Sequence, residues 1–181
     1  MRRFARAKRG AAAVEFALLA PVMVFTLFGL VESIELLDAF QSAERSAASS
    51  ADVISRFDEL EGQDVCDVLD SIPLLTPLLV DRTVRITSIN IANTTEAEAT
   101  VGWSEARGVI TPMTPGEDVT ASLPADVRLS ARGASLIQAE VAGVHAPTLM
   151  MIFEPRIAIS RSELRRPRLV DRIPLLSGCP T

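Results

Sequence analysis

The amino-acid sequence predicts an α+β protein in which a long N-terminal transmembrane helix precedes a small antiparallel β-sheet domain. Three observations carry that prediction. Ala11 to Val31 is an apolar block of 21 residues interrupted by one charge, Glu15. Behind it, apolar residues recur every three or four positions as far as Phe57. From residue 73 the texture changes to short alternating segments punctuated by prolines.

The apolar block comes first. At about 1.5 Å per residue it makes a helix roughly 31 Å long, which matches a bilayer core of about 30 Å. Arg2, Arg3, Arg6, Lys8 and Arg9 precede it with no acid among them, whereas Glu32, Glu35 and Asp38 come after it. The positive-inside rule then keeps the N-terminus cytoplasmic and sends the remainder across. A chain of 181 residues, 48% of them hydrophobic, suits one modest domain plus an anchor. Five of the 18 cations lie in the first ten residues, so the chain beyond them carries 13 cations against 23 acids, and nucleic acid is an unsuitable partner. A cleaved secretory signal shares the basic head and has small residues further on, Ser46 to Ala51. Its apolar core, however, usually spans only about 7 to 15 residues and carries no acid.

The residues around the lone acid are specific. Gly10 stands at the junction of basic leader and apolar helix, followed by Ala11-Ala12-Ala13-Val14 and then Glu15-Phe16. This resembles the processing site of type IV prepilins and pseudopilins, in which a membrane-embedded aspartic peptidase cuts after the glycine and the fifth mature residue is glutamate. Glu-Phe followed by Ala17-Leu18-Leu19-Ala20-Pro21 and Leu27-Phe28-Gly29-Leu30-Val31-Glu32 is similar, more narrowly, to the TadE-like minor pseudopilins of the tight-adherence (Tad/Flp) pilus system. The resemblance covers Arg9 to about Phe40. It implies a pilin-like fold, cleavage between Gly10 and Ala11, and a structural role in pilus biogenesis. It also implies as partners a prepilin peptidase, other minor pseudopilins, the major Flp pilin, inner-membrane platform proteins and the lipid bilayer, with no cofactor. The expected division is a basic leader over 1–10, a membrane helix over 11–31, its periplasmic continuation over 32–60 and a periplasmic α+β domain over 61–181. The expected location is the bacterial inner membrane, single-pass, with incorporation in the pilus as a further stage.

Physical chemistry gives Glu15 a reason to exist. An ionised side chain at the centre of a membrane helix costs about 2.5 to 3.5 kcal/mol, so such residues face a partner rather than lipid. Cleavage after Gly10 would free an α-amine on Ala11, roughly 6 Å along the helix axis. The amine of an adjoining subunit could then meet the Glu15 carboxylate, and Ala11 to Ala13 would let the helices approach closely. Glu15, with Phe16, would set register between subunits. The other reading is that Glu15 snorkels to the cytoplasmic interface. Pro21 removes the backbone bond to the Ala17 carbonyl, which either kinks the helix or is repaired locally.

Past the membrane, Leu36, Phe40, Ala43, Ala47, Ala51, Ile54 and Phe57 extend the helical period, giving one helix from about Ala11 to Phe57. Asp58, Glu59, Glu61, Asp64, Asp67 and Asp70 form an acidic cluster, with Gly62 breaking the helix. It lacks the ligand spacing and turn glycine of an EF-hand loop and reads as a solvated face. Thr83 to Thr87 and Ile89 to Ile91 read as one strand with an irregularity at Ser88. Asn93-Thr94-Thr95 turns the chain into a second strand at Ala97 to Ser104. Gly108 to Asp126 reads as a loop excursion. A short helix is expected around Leu129 to Ile137 and a strand at Ala139 to Val144. Leu149 to Phe153 and Arg156 to Ser162, separated by Pro155, supply one or two more.

Cys66 and Cys179 would both lie in an oxidising compartment, where a disulfide closing a loop of just over 110 residues would pin the tail; two free thiols are the alternative. Catalytic chemistry is not evident. The single histidine, His145, reads as a surface or turn residue with no second histidine to complete a metal site. No phosphate-binding glycine loop and no nucleophile elbow occur. Trp103 reads as core or hairpin packing, and Arg161, Arg165, Arg166 and Arg168 as a solvated basic run or a contact for a partner's acids or lipid headgroups. Alongside pilus assembly, the composition admits a periplasmic binding or envelope-structural protein held by an uncleaved anchor.

Overall fold

A computed structural model describes residues 8–147 and 156–179. Helix α1 runs Lys8–Ile54, α2 Gly62–Leu75 and α3 Ala125–Ser130, and the strands are β1 Leu79–Ile91, β2 Ala99–Arg107, β3 Ser135–His145 and β4 Ile157–Arg165. The long apolar helix followed by a four-stranded antiparallel sheet is the predicted α+β class.

α1 is one element from the basic leader through Pro21. It begins three residues before the expected start and stops at Ile54 rather than Phe57. Its end is a tightening turn: Ser55 N–H still bonds the Ala51 carbonyl, but Arg56 and Phe57 bond Val53 and Ile54, three residues back. The alanine period of its second half does the packing. Ala39, Ala43, Ala47, Ala51 and Ile54 are fully buried and join one core with Val84, Ile86, Ile137, Val141 and Ile159 of the sheet. Small side chains there let the helix axis sit close over β3 and β4.

Sheet order is β2-β1-β3-β4, all neighbours antiparallel. The irregularity read at Ser88 is a register shift between Ser88 and Ile89. The extra residue is Gly102 of β2, while β1 keeps its alternation against β3, so Val84 and Ile86 join the α1 core whereas Ile89 and Ile91 face the other side in a second apolar cluster with Val101, Leu123 and Leu136. Gly62 does not break a helix but opens α2, whose Val65, Cys66, Leu69 and Ile72 face inward over β1 and β2.

Two expectations need correction. The helix expected at Leu129 to Ile137 lies earlier, at Ala125–Ser130, behind Pro124, whose fixed φ suits a helix start. The strand expected to begin at Ala139 begins at Ser135, because the left-handed Gly133, at φ +79°, turns the chain directly into β3. The strand expected at Leu149 to Phe153, and Pro155, lie outside the described residues.

Candidate functional site: the anchor helix and the strap at its far end

Between Val14 and Val31 nearly every apolar side chain of α1 is exposed, Leu18 by 72% and Phe16 by 66%. A helix of this length that is apolar around its circumference needs an apolar solvent, so this part of α1 fits a single-pass membrane anchor. Gly10 and Glu15 stand on it as exposed helical residues, and Ala11 lies between them. Among the described residues nothing comes within 4 Å of a Cβ built on Gly10. Among the described residues Glu15 makes no salt bridge. Phe16 also points away from the protein. Beside Pro21, the Thr26 hydroxyl donates to the Met23 carbonyl and Ser33 to Gly29, so small polar side chains of the anchor are satisfied by their own helix.

Where the anchor enters the domain, Glu32 is completely buried, and both it and Glu35 make polar interactions. In the sequence Glu32 stands only as a flanking charge. Nothing in the one-dimensional pattern marks it as buried.

The opposite end of α1 is gripped by the C-terminal segment. Arg168 N–H bonds the Ser55 carbonyl and its guanidinium meets the Asp52 carboxylate, which also accepts from Arg56. Hydrogen bonding from Arg56, assisted by the positive charge of Arg168, holds the Asp52 carboxyl below its ordinary value of 3.8 although burial opposes this. The chain then crosses the front of the sheet. Ser135 N–H bonds the Asp171 carbonyl, and Trp103 Nε1–H donates to the Ile173 carbonyl at 2.9 Å. Leu60 and Leu175 form a parallel bridge, and Gly62 N–H donates to Ser177 Oγ at 3.0 Å. Cys66 and Cys179 are joined, with Cα atoms 5.8 Å apart and a sequence separation of 113. Arg107 reaches both Asp70 and the Cys66 Sγ. Trp103, read as packing, is thus also a hydrogen-bonded clasp for this strap.

His145 is not a surface or turn residue. β3 continues to it with inward parity, leaving it 1% exposed, its Nδ1 3.2 Å from the Leu78 carbonyl and its Nε2 without a partner among the described residues. The basic run is organised rather than merely solvated: Arg161 lies over the Phe40 ring at 4.9 Å, Arg165 pairs with Glu163 and Arg166 with Asp171. The acidic residues serve locally too, Asp64 accepting from Glu61 N–H and Asp67 from Gln63. Among the described residues no group of His, Cys, Asp and Glu could hold a metal. A cleft of about 460 Å³ behind the strap is lined by Ser88, Asn90, Gly102, Trp103 and Arg172 to Leu175. Its one ionisable lining group is Arg172, so no acid–base pair faces it.

Fold and site together define an α+β protein whose long helix fits a membrane anchor in its first half and is a core element in its second. Residues 10–52 match the family described as TadE-like protein. Over that segment, about a quarter of the chain, the sequence is similar to TadE-like proteins. No curated protein and no solved structure matches the chain.

Proposed function

We propose that the protein is a minor pseudopilin of a Tad-type system, made as a prepilin, cut between Gly10 and Ala11, and built with other pilins into an inner-membrane assembly that starts or supports a pilus. The observation that carries this reading is the start of the TadE-like match at Gly10, with the lone intramembrane acid Glu15 five residues on. In this reading the leader stays cytoplasmic and residues beyond 32 are periplasmic. Glu15 accepts the α-amine of a neighbouring subunit's Ala11, and Phe16 packs beside it. Pro21 gives the helix a bend for transfer from bilayer to filament, and the Cys66–Cys179 bond persists because the compartment is oxidising. The partners are the prepilin peptidase, other minor pseudopilins, the major Flp pilin and the inner-membrane platform.

Mass spectrometry of the mature N-terminus tests the processing step. A chain beginning at Ala11 is expected; a mature chain beginning at Met1 would instead favour a periplasmic binding or envelope-structural protein on an uncleaved anchor. Glu15→Ala is expected to leave cleavage largely intact while impairing co-assembly, and normal pilus formation by that variant would remove the register role.

A further inference from the structure

The domain carries opposite charge on its two flanks. From Asp58 to Asp70 there are six acids and no base, whereas Arg156 to Arg166, on and flanking β4, contains four arginines against Glu163. The fold separates these segments. α2, which carries the later acids, lies over β1 and β2, while α1 lies over β3 and β4, and the sheet order puts β2 and β4 at opposite edges. Among the described residues Glu59, Glu61 and Asp67 form no salt bridge. All three are exposed. On the other flank Arg165 and Arg166 are about half exposed and hold their own partners only at 3.4 and 3.7 Å. Each guanidinium keeps donors for a further carboxylate.

Height above the bilayer selects the partner. Arg168 contacts Asp52 and Ser55 at the end of α1, and Glu59 and Glu61 come directly after that same end. From Val31 to Asp52 the helix rises roughly 32 Å, well beyond a Debye length of about 8 Å at physiological salt. With α1 upright, lipid headgroups are out of reach. A second copy anchored in the same membrane presents its acids at the level of the first copy's arginines.

We propose that copies of this chain associate side by side in the membrane, the acidic flank around Glu59, Glu61 and Asp67 of one docking on the basic flank of Arg165 and Arg166 of the next. Because the two patches lie on opposite edges, the contact is head-to-tail and leaves a free acidic and a free basic flank at the ends of every oligomer. The inference goes beyond the pseudopilin reading and needs neither cleavage nor Glu15; it requires only that α1 is the anchor.

The test uses the full chain in zwitterionic phosphatidylcholine vesicles, with donor- and acceptor-labelled copies and energy transfer as the readout. Wild-type copies are expected to show transfer that falls with added salt. Reversing the acids (Glu59→Lys with Asp67→Lys) or the bases (Arg165→Glu with Arg166→Glu) is expected to weaken association roughly tenfold or more. Mixing the two variants is expected to restore it, since like-charged flanks then meet opposite ones, and this rescue shows that both variants are folded. Absence of transfer between wild-type copies, indifference to either reversal, or failure of the mixture to recover would each overturn the proposal. Carbonate extraction of the same vesicles reports separately on the anchor.

Discussion

Substituting Gly62 by alanine should damage the domain out of proportion to the one methyl group it adds. A Cβ at this position would overlap the Gly178 carbonyl oxygen and stand 2.5 Å from its carbon and 2.9 Å from the Ser177 carbonyl oxygen. All three are backbone atoms, so no rotamer change relieves the contact and the strap must shift its backbone to make room. Overpacking of this kind costs about 1 to 3 kcal/mol. Moving the strap also weakens the Gly62 to Ser177 bond and the Leu60 bonds to Pro174 and Leu176, at roughly 0.5 to 1.5 kcal/mol each. Alanine regains at most about 1 kcal/mol of backbone entropy. The net expectation is a loss of about 2 to 5 kcal/mol, a fall of roughly 5 to 15 °C in Tm. Denaturant unfolding of the full chain in detergent measures it, with Trp103 as an internal reporter because its indole N–H is held by the strap. Gly116→Ala is the control: its φ of +85° imposes strain, yet nothing lies within 4 Å, so about 1 to 2 kcal/mol is expected. An unchanged midpoint for Gly62→Ala, or a larger loss for Gly116→Ala, would refute the steric argument.

Trp103→Phe keeps the buried ring but removes the donor to Ile173, and should cost about 1 kcal/mol, read as a lower urea midpoint at unchanged slope. Cys66→Ser with Cys179→Ser removes a link spanning 113 residues and should cost about 4 to 5 kcal/mol in the chain-entropy model, checked by the same unfolding experiment. The depressed Asp52 carboxyl contributes stability that is present above its ordinary value of 3.8 and is lost as pH falls through its lower folded value; acid titration of Trp103 fluorescence should show strap loosening there, and Asp52→Asn should abolish that step. Gly10→Ala should leave the unfolding midpoint unchanged, since no described residue comes within 4 Å of its added Cβ, while blocking the proposed cleavage, read by N-terminal mass spectrometry.

Local signals carried much of this architecture. The apolar block from Ala11 to Val31 needs no tertiary context, because a bilayer imposes its length on a single helix. The alanine period of α1 named the helix face that packs, and the alternation of β1 with its fault at Ser88 named a strand and the point where its pairing with β2 shifts. Local signals failed where a residue's environment comes from distant segments. His145 reads as a turn residue because Ala146 and Pro147 come next; its burial was decided by the register of β3 between β1 and β4. Gly62 reads as a helix breaker, and only the return of Gly178 shows that its missing side chain makes room for the strap.

By itself, then, the sequence determined the apolar span, the helical period that continues it, the β1 strand and the Gly10 to Phe16 cluster, since each rests on spacing within one segment. The tertiary structure alone decided the burial of Glu32, the clasp of Trp103 on Ile173, the grip of Arg168 on Asp52 and the placing of acids and arginines on opposite flanks. The grip joins residues 116 positions apart and the clasp residues 70 apart, and no local periodicity encodes a pairing across such distances.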